Sequence, residues 1–145
     1  MTESKLSEAT DFKFDSQVDT HIGGIKLETI TLILNTAPYG DEKIWNALRL
    51  AKALMVGTDK MKVNVFLLGD AVTAAKKGQK PPEGFYNLEK MLNDLIDHGS
   101  PVVACRTCVN ARGVTKEELI DGVRIGTTSG DLAGWVRTSQ KVISF

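Results

Sequence analysis

Residues 28–36 read ETITLILNT, and the tight turn APYGD follows at 37–41. The run is apolar and β-branched almost throughout, without the polar alternation of a half-exposed strand. That pattern belongs to a strand buried on both faces. Beyond the turn, Ile44, Ala47, Leu48, Ala51, Leu54 and Met55 recur at helical spacing. Asp41 suits the first turn of that helix and Gly57 supplies its stop. A buried strand feeding an amphipathic helix is the opening half of a βαβ unit.

Working outward, the same alternation recurs. KVNVFLLGD at 62–70 repeats the strand signal, and AVTAAKKGQKPPEG at 71–84 is a long, basic, proline-broken loop with room for a short helix in its first half. Leu88, Met91, Leu92, Leu95 and Ile96 mark a second amphipathic helix that Gly99 stops. PVVAC at 101–105 is a third strand, with proline tolerated at its first position. TKEE at 115–118 reads as a capping box, in which Thr115 caps and Glu118 reaches back. VRIG at 123–126 is a fourth strand, SGDLAGWVRTSQ at 129–140 a short helix capped by Ser129, and KVISF at 141–145 a fifth strand. The fold class is therefore α/β, one domain over residues 27–145 on a five-stranded parallel sheet with helices on both faces. Residues 1–26 are polar, end in HIGG, and form an extension expected to be partly disordered or to lie against a partner subunit.

The 145 residues are 42% hydrophobic and 25% charged, with 18 basic and 18 acidic side chains. A balanced charge carries no electrostatic footprint for nucleic acid or an anionic membrane. No apolar run approaches the ~18 residues of a membrane span. The opening MTESKLSEATDFKFDSQ lacks the hydrophobic region of a secretory leader, and two cysteines make no disulfide framework, so the cytoplasm is the expected compartment. Neither GxGxxG nor GxxxxGK[ST] occurs, and no cofactor is called for.

The chemistry concentrates in VVACRTCVNARG, residues 102–113, which holds both cysteines. Cys105 closes the third strand, and Cys108 falls in the first turn of the helix that follows. Ligands of open parallel sheets bind beyond the carboxyl ends of the strands. The turns 36–41, 68–72 and 105–113 share that edge, where they are expected to form one shallow pocket with the Cys105 sulfur facing it. Free N–H groups of the helix start, with Arg106 and Arg112, would favour a thiolate there. Four readings stay open: a sulfur nucleophile with a neighbour, a dithiol redox pair, half of a metal site, or two small buried hydrophobes. The metal reading is the poorest, because only His21 and His98 remain as soft ligands and neither has a recognised spacing. Burial of Cys105 would favour structural cysteines, an exposed Cys105 with Cys108 turned away would favour sulfur transfer, and sulfurs within bonding reach would favour redox chemistry. Tyr39 and Asp70 are candidate lining residues, Gly40 and Gly69 meet backbone demands of the turns, and Thr127, Thr128 and Ser129 offer hydroxyls to an anionic sulfur species. Arg112 is either a thiolate partner or half of an ion pair. Trp45 and Trp135, on helical segments, suit the core or a subunit contact.

Taken together and in order, APYGDEKIWNALRLAKAL, VNVFLLGDAV, the C-x-x-C-x-x-x-R-G-V stretch and the ending TTSGDLAGWVRTSQKVISF resemble the DsrE/DsrF-like superfamily over about residues 28–145. The resemblance implies a three-layer α/β/α domain, assembly into homo-trimers or homo-hexamers, and exchange of sulfur with donor and acceptor proteins. In sulfur-transferring members a cysteine after the third strand carries a persulfide, seven residues before the arginine of an Arg-Gly pair. Counted back from Arg112, that residue is Cys105. Cys108 is the additional cysteine of the YchN-like branch, and would either resolve a Cys105 persulfide or pack. The substrate-facing positions that go with this reading are Tyr39, Gly40, Gly69, Asp70, Thr127 and Ser129.

Overall fold

The computed structural model describes residues 25–145 together with the strand His21–Ile22 (β1). β1 pairs antiparallel with Ile25–Lys26 (β2), placing His21 opposite Lys26. The expectation for residues 1–20 lies outside the described residues. The five strands of the main sheet are Thr29–Leu34 (β3), Lys62–Leu67 (β4), Val102–Cys105 (β5), Val123–Gly126 (β6) and Lys141–Ser144 (β7). Their order is β6-β5-β4-β3-β7, and every pairing is parallel. This is the expected α/β sheet.

Register and the two-residue period of a strand sort the side chains by face. Ile30, Leu32 and Leu34 of β3 lie beside Val63, Val65 and Leu67 of β4, and all are buried. Lys43–Met55 (α1) covers this face with Ile44, Ala47, Leu48 and Ala51, and Leu88–Asp97 (α2) adds Leu88, Leu92 and Leu95. Each helix ends where a glycine enters the left-handed region, Gly57 at φ 92° and Gly99 at φ 91°. Between β4 and α2 the chain makes a 3₁₀ helix, Gly69–Ala75, the short helix expected in the first half of the 71–84 loop.

The other face carries Thr31 and Asn64 in register, then Ile33 beside Phe66. The connection from β6 returns across the sheet to place β7 on the free side of β3. A right-handed crossover in that direction must pass over this second face. Its helix, Ala133–Thr138 (α4), lays the buried Trp135 edge-on to Phe66 with ring centroids 6.1 Å apart. Below it, Ser139 and Thr31 share a hydroxyl hydrogen bond of 2.7 Å, and the buried Asn64 amide donates to Thr31 at 3.3 Å.

The start of the last helix differs from expectation. Ser129 is exposed and caps nothing; α4 begins at Ala133, after a wide π turn over Thr128–Leu132. The Thr127 hydroxyl is the cap and accepts from Gly130 N–H at 3.1 Å. The reason is Asp131, whose carboxylate turns inward to accept from Thr127 N–H at 2.7 Å and so opens the first turn. The Thr115–Glu118 box is present, with Glu118 accepting from Thr115 N–H at 2.7 Å, but it closes only a single 3₁₀ turn, Lys116–Glu118.

Candidate functional site

Because all five strands run the same way, their carboxyl ends share one edge. β5 ends at Cys105, which is also the N-cap of the short helix Arg106–Ala111 (α3). Cys105 is 4% exposed and belongs to the hydrophobic core, whereas Cys108, one turn into α3, is half-buried. The Cys105 sulfur therefore does not face an open pocket as expected. It is screened by the core it terminates.

Burial pushes the Cys105 thiol above its ordinary range, and the Cys108 thiol beside it adds to the rise. The backbone N–H groups of Cys108 and Thr107 act in the opposite sense and are outweighed. The two cysteines stand three residues apart at the start of α3, Cys105 as its N-cap and Cys108 in its first turn. The helix start is thus not enough to make Cys105 a strong thiolate, because desolvation of a charged sulfur costs more than the two N–H groups return.

Cys108 meets the neighbouring turn. Gly69, at the end of β4, donates its N–H to the Cys108 sulfur at 3.2 Å. It does so from φ 55°, a left-handed conformation that favours glycine. Asp70 follows, and its Oδ1 accepts from Arg112 Nε at 3.0 Å and Nη2 at 2.8 Å. Arg112 Nη1 also donates to the Cys108 carbonyl at 3.1 Å. Of the two roles open to Arg112, the geometry is that of the ion pair: the guanidinium clamps the end of α3 to the 68–72 turn. Cys105, Cys108, Gly69, Asp70 and Arg112 therefore form one cluster.

Other candidates stand apart from it. Tyr39 donates its hydroxyl to Gln79 Oε1 at 2.5 Å and stacks on Tyr86, itself stacked on Trp45. This ring stack ties the 36–41 turn to the 76–86 loop. Gly40 has φ 104° and open space around it, which is a turn requirement. Thr127 lies one strand over from the cysteines, since Gly126 pairs with Cys105 across β5 and β6. Ser129 is exposed within the π turn. His98 Nδ1 donates to the Asp94 carbonyl at 2.7 Å, the helix-end role open to it. Among the described residues, no three His, Cys, Asp or Glu side chains gather as a metal site would require.

Two features at this edge escaped sequence reasoning. Asp131 is 4% exposed, bonded to Thr127 and ion-paired with Arg124 Nη1. Its carboxylate lies over Gly126, where a Cβ would come 2.5 Å from Oδ2. The available signal was a glycine closing a strand, which often marks a close approach. Thr36 carries a buried hydroxyl that has no hydrogen-bond partner among the described residues, in the turn after β3. A concavity of about 300 Å³ opens at the opposite, amino edge, between Met55, Met61, Val63, His98 and Pro101. None of the sulfur chemistry is there.

The parallel sheet with a cysteine ending its third strand defines a class. The DsrE/DsrF-like family model matches residues 28–145, and the chain belongs to that family. It is similar to the protein YchN of Escherichia coli K12, 44% identical over 119 residues, which are 82% of this chain and all of YchN. The crystal structure of the E. coli ychN protein superposes with a TM-score of 0.76 over the same share of both chains. An uncharacterized protein of Methanopyrus kandleri, MK0008, is 40% identical over 119 residues, 82% of this chain and 95% of that one. The fold alone is shared with MTH1491 of Methanobacterium thermoautotrophicum, a protein of unknown function at 15% identity, TM-score 0.66, covering 83% of this chain and all of the other.

Proposed function

We propose that this protein is a sulfur carrier that holds sulfane sulfur as a persulfide on Cys105, with Cys108 as the second thiol of the site. The observation that supports it most is the thiol pair itself. It stands at the carboxyl edge of the sheet, in a DsrE/DsrF-like chain, seven residues ahead of an Arg-Gly arginine. Persulfide exchange needs a thiolate, access and a second thiol, and neither an acid–base dyad nor a cofactor. Donor and acceptor would be persulfide- or thiol-bearing proteins of the cytoplasm.

Two other readings draw on specific observations. The proximity of the thiols favours a dithiol redox protein, and the burial of Cys105 favours structural cysteines in a non-catalytic subunit. Intact-mass analysis after incubation with a persulfide or thiosulfate donor separates them. A carrier gains about 32 Da, one sulfur atom, and in Cys105→Ser that gain does not persist. A redox pair loses about 2 Da as it closes a disulfide, and structural cysteines show no change.

Assembly belongs to the same proposal: a homo-trimer or homo-hexamer. Phe85 is 64% exposed in the 71–86 loop, and Val136, Val142 and Ile143 are exposed on α4 and the edge strand β7. Among the described residues β7 pairs only with β3, and an edge strand with apolar side chains invites a partner.

A further inference from the structure

The two thiols differ in reach. A donor persulfide approaches from solvent, and displacement requires the attacking sulfur to meet its S–S bond in line. Cys105 is 4% exposed and belongs to the core, so a donor carried on another molecule reaches it less readily than the outer sulfur. Cys108 is half-buried and sits on the outer turn. Its sulfur accepts the Gly69 N–H at 3.2 Å, which fixes it against the 68–72 turn. Both the 68–72 turn and α3 are held at this point by Asp70 and Arg112. The inner cysteine is the N-cap of α3 and the outer one stands in its first turn, three residues on.

From this arrangement we infer that Cys108 is the entry thiol and Cys105 the inner acceptor, so that sulfane sulfur arrives from a persulfide R–S–SH at the half-buried sulfur and passes inward. The inference rests on the sulfur-carrier reading and assigns the order of its steps. The Cys108 thiolate attacks the outer sulfur of R–S–SH. The donor S–S bond breaks, its electron pair leaves on R–S⁻, and Cys108–S–SH forms. The Cys105 thiol then gives up its proton and attacks that same outer sulfur. The Cys108 S–S bond breaks, Cys105–S–SH forms, and the leaving Cys108 sulfur takes up that proton, which it loses to solvent before it attacks a second donor. The sulfane sulfur keeps its oxidation state in both steps, so no oxidant or reductant is consumed. Storage on the screened sulfur would protect the persulfide from water and from stray thiols.

Arg106 lies between the cysteines, which makes the order measurable in the unmodified chain. Trypsin places Cys105 on Met91–Arg106 and Cys108 on Thr107–Arg112. The full chain is mixed with glutathione persulfide at neutral pH, quenched with iodoacetamide at increasing times and digested. The expected result is an extra sulfur first on Thr107–Arg112 and later on Met91–Arg106, with Cys108→Ser slowing the loading of Cys105 by at least about tenfold. Sulfur appearing first on Met91–Arg106, with Cys108→Ser loading at the wild-type rate, overturns the inference and leaves the carrier reading intact. A Cys105–Cys108 disulfide with released sulfide overturns inward transfer. No extra sulfur on either peptide overturns the carrier reading and this inference with it. The wild-type time course needs no variant to fold.

Discussion

The backbone N–H of Gly69 points at the sulfur of Cys108 across 3.2 Å, joining positions 39 residues apart in the chain. It is the direct link between the end of β4 and the helix that carries the second cysteine. The glycine can make it because it sits at φ 55°.

Gly69→Ala tests that conformation. The new Cβ would meet only ordinary contacts, Asn35 O at 3.5 Å and Arg112 Nη2 at 4.0 Å, so the cost is conformational. A loss of about 1 kcal/mol is expected, measured by denaturant unfolding, together with faster alkylation of a less firmly held Cys108. Unchanged stability would mean that the turn relaxes out of the left-handed region.

Asp70→Ala removes the partner of Arg112. Both side chains are partly exposed, 66% and 31%, so the stability lost should stay below about 1 kcal/mol. The larger effect is electrostatic. Arg112, no longer neutralised, adds positive charge beside Cys108, and iodoacetamide should react there roughly two- to fivefold faster at neutral pH. A slower reaction would show that the ion pair mainly keeps the site open.

The raised pKa of Cys105 has a consequence with a definite sign. Burial first, and then the Cys108 thiol, favour the protonated form in the folded chain. Below the ordinary value of 9.0 both states hold the proton and nothing is lost. As pH rises past 9.0 the unfolded thiol ionises first, so stability falls until the folded thiol also ionises. The difference in unfolding free energy between wild type and Cys105→Ala should therefore shrink from pH 8 to pH 10.5. A difference independent of pH over that range would refute the screening of this sulfur.

Gly126→Ala should be more costly. Its Cβ would lie 2.5 Å from Asp131 Oδ2 and 2.7 Å from Val103 Cγ1, both buried. Asp131 cannot retreat without giving up Thr127 and Arg124. Overpacking of this kind costs about 1–3 kcal/mol, visible as a lowered Tm. A neutral substitution would mean that the carboxylate has another place to go.

Assembly is checked by light scattering. Scattering at micromolar concentration should give a species three or six times the 15.8 kDa chain. Charged substitutions at Val142 and Ile143, or at Phe85, then identify which exposed patch joins the copies. A monomer at every concentration would rule the assembly out.

Much of the fold was legible because burial on both faces leaves a one-dimensional mark. ETITLILNT and KVNVFLLGD are apolar without alternation, so they announce a parallel sheet. Gly57 and Gly99 end helices by a purely local conformational preference. The position of Cys105 at the ligand edge followed as well, since parallel strands joined by helices share their carboxyl ends. Other features rest on partners distant in sequence, and local pattern is silent about them. Strand β7 looks buried in composition yet is the exposed edge beside β3, because order in a sheet depends on the path of the crossovers. Ser129 looked like a cap until Asp131 turned inward over Gly126 and widened the turn. Arg112 found its partner in Asp70, 42 residues away. The sequence alone determined that two thiols would stand together at the end of the third strand. Only the tertiary structure decided which is sealed and which is reachable, because accessibility depends on everything packed around a residue.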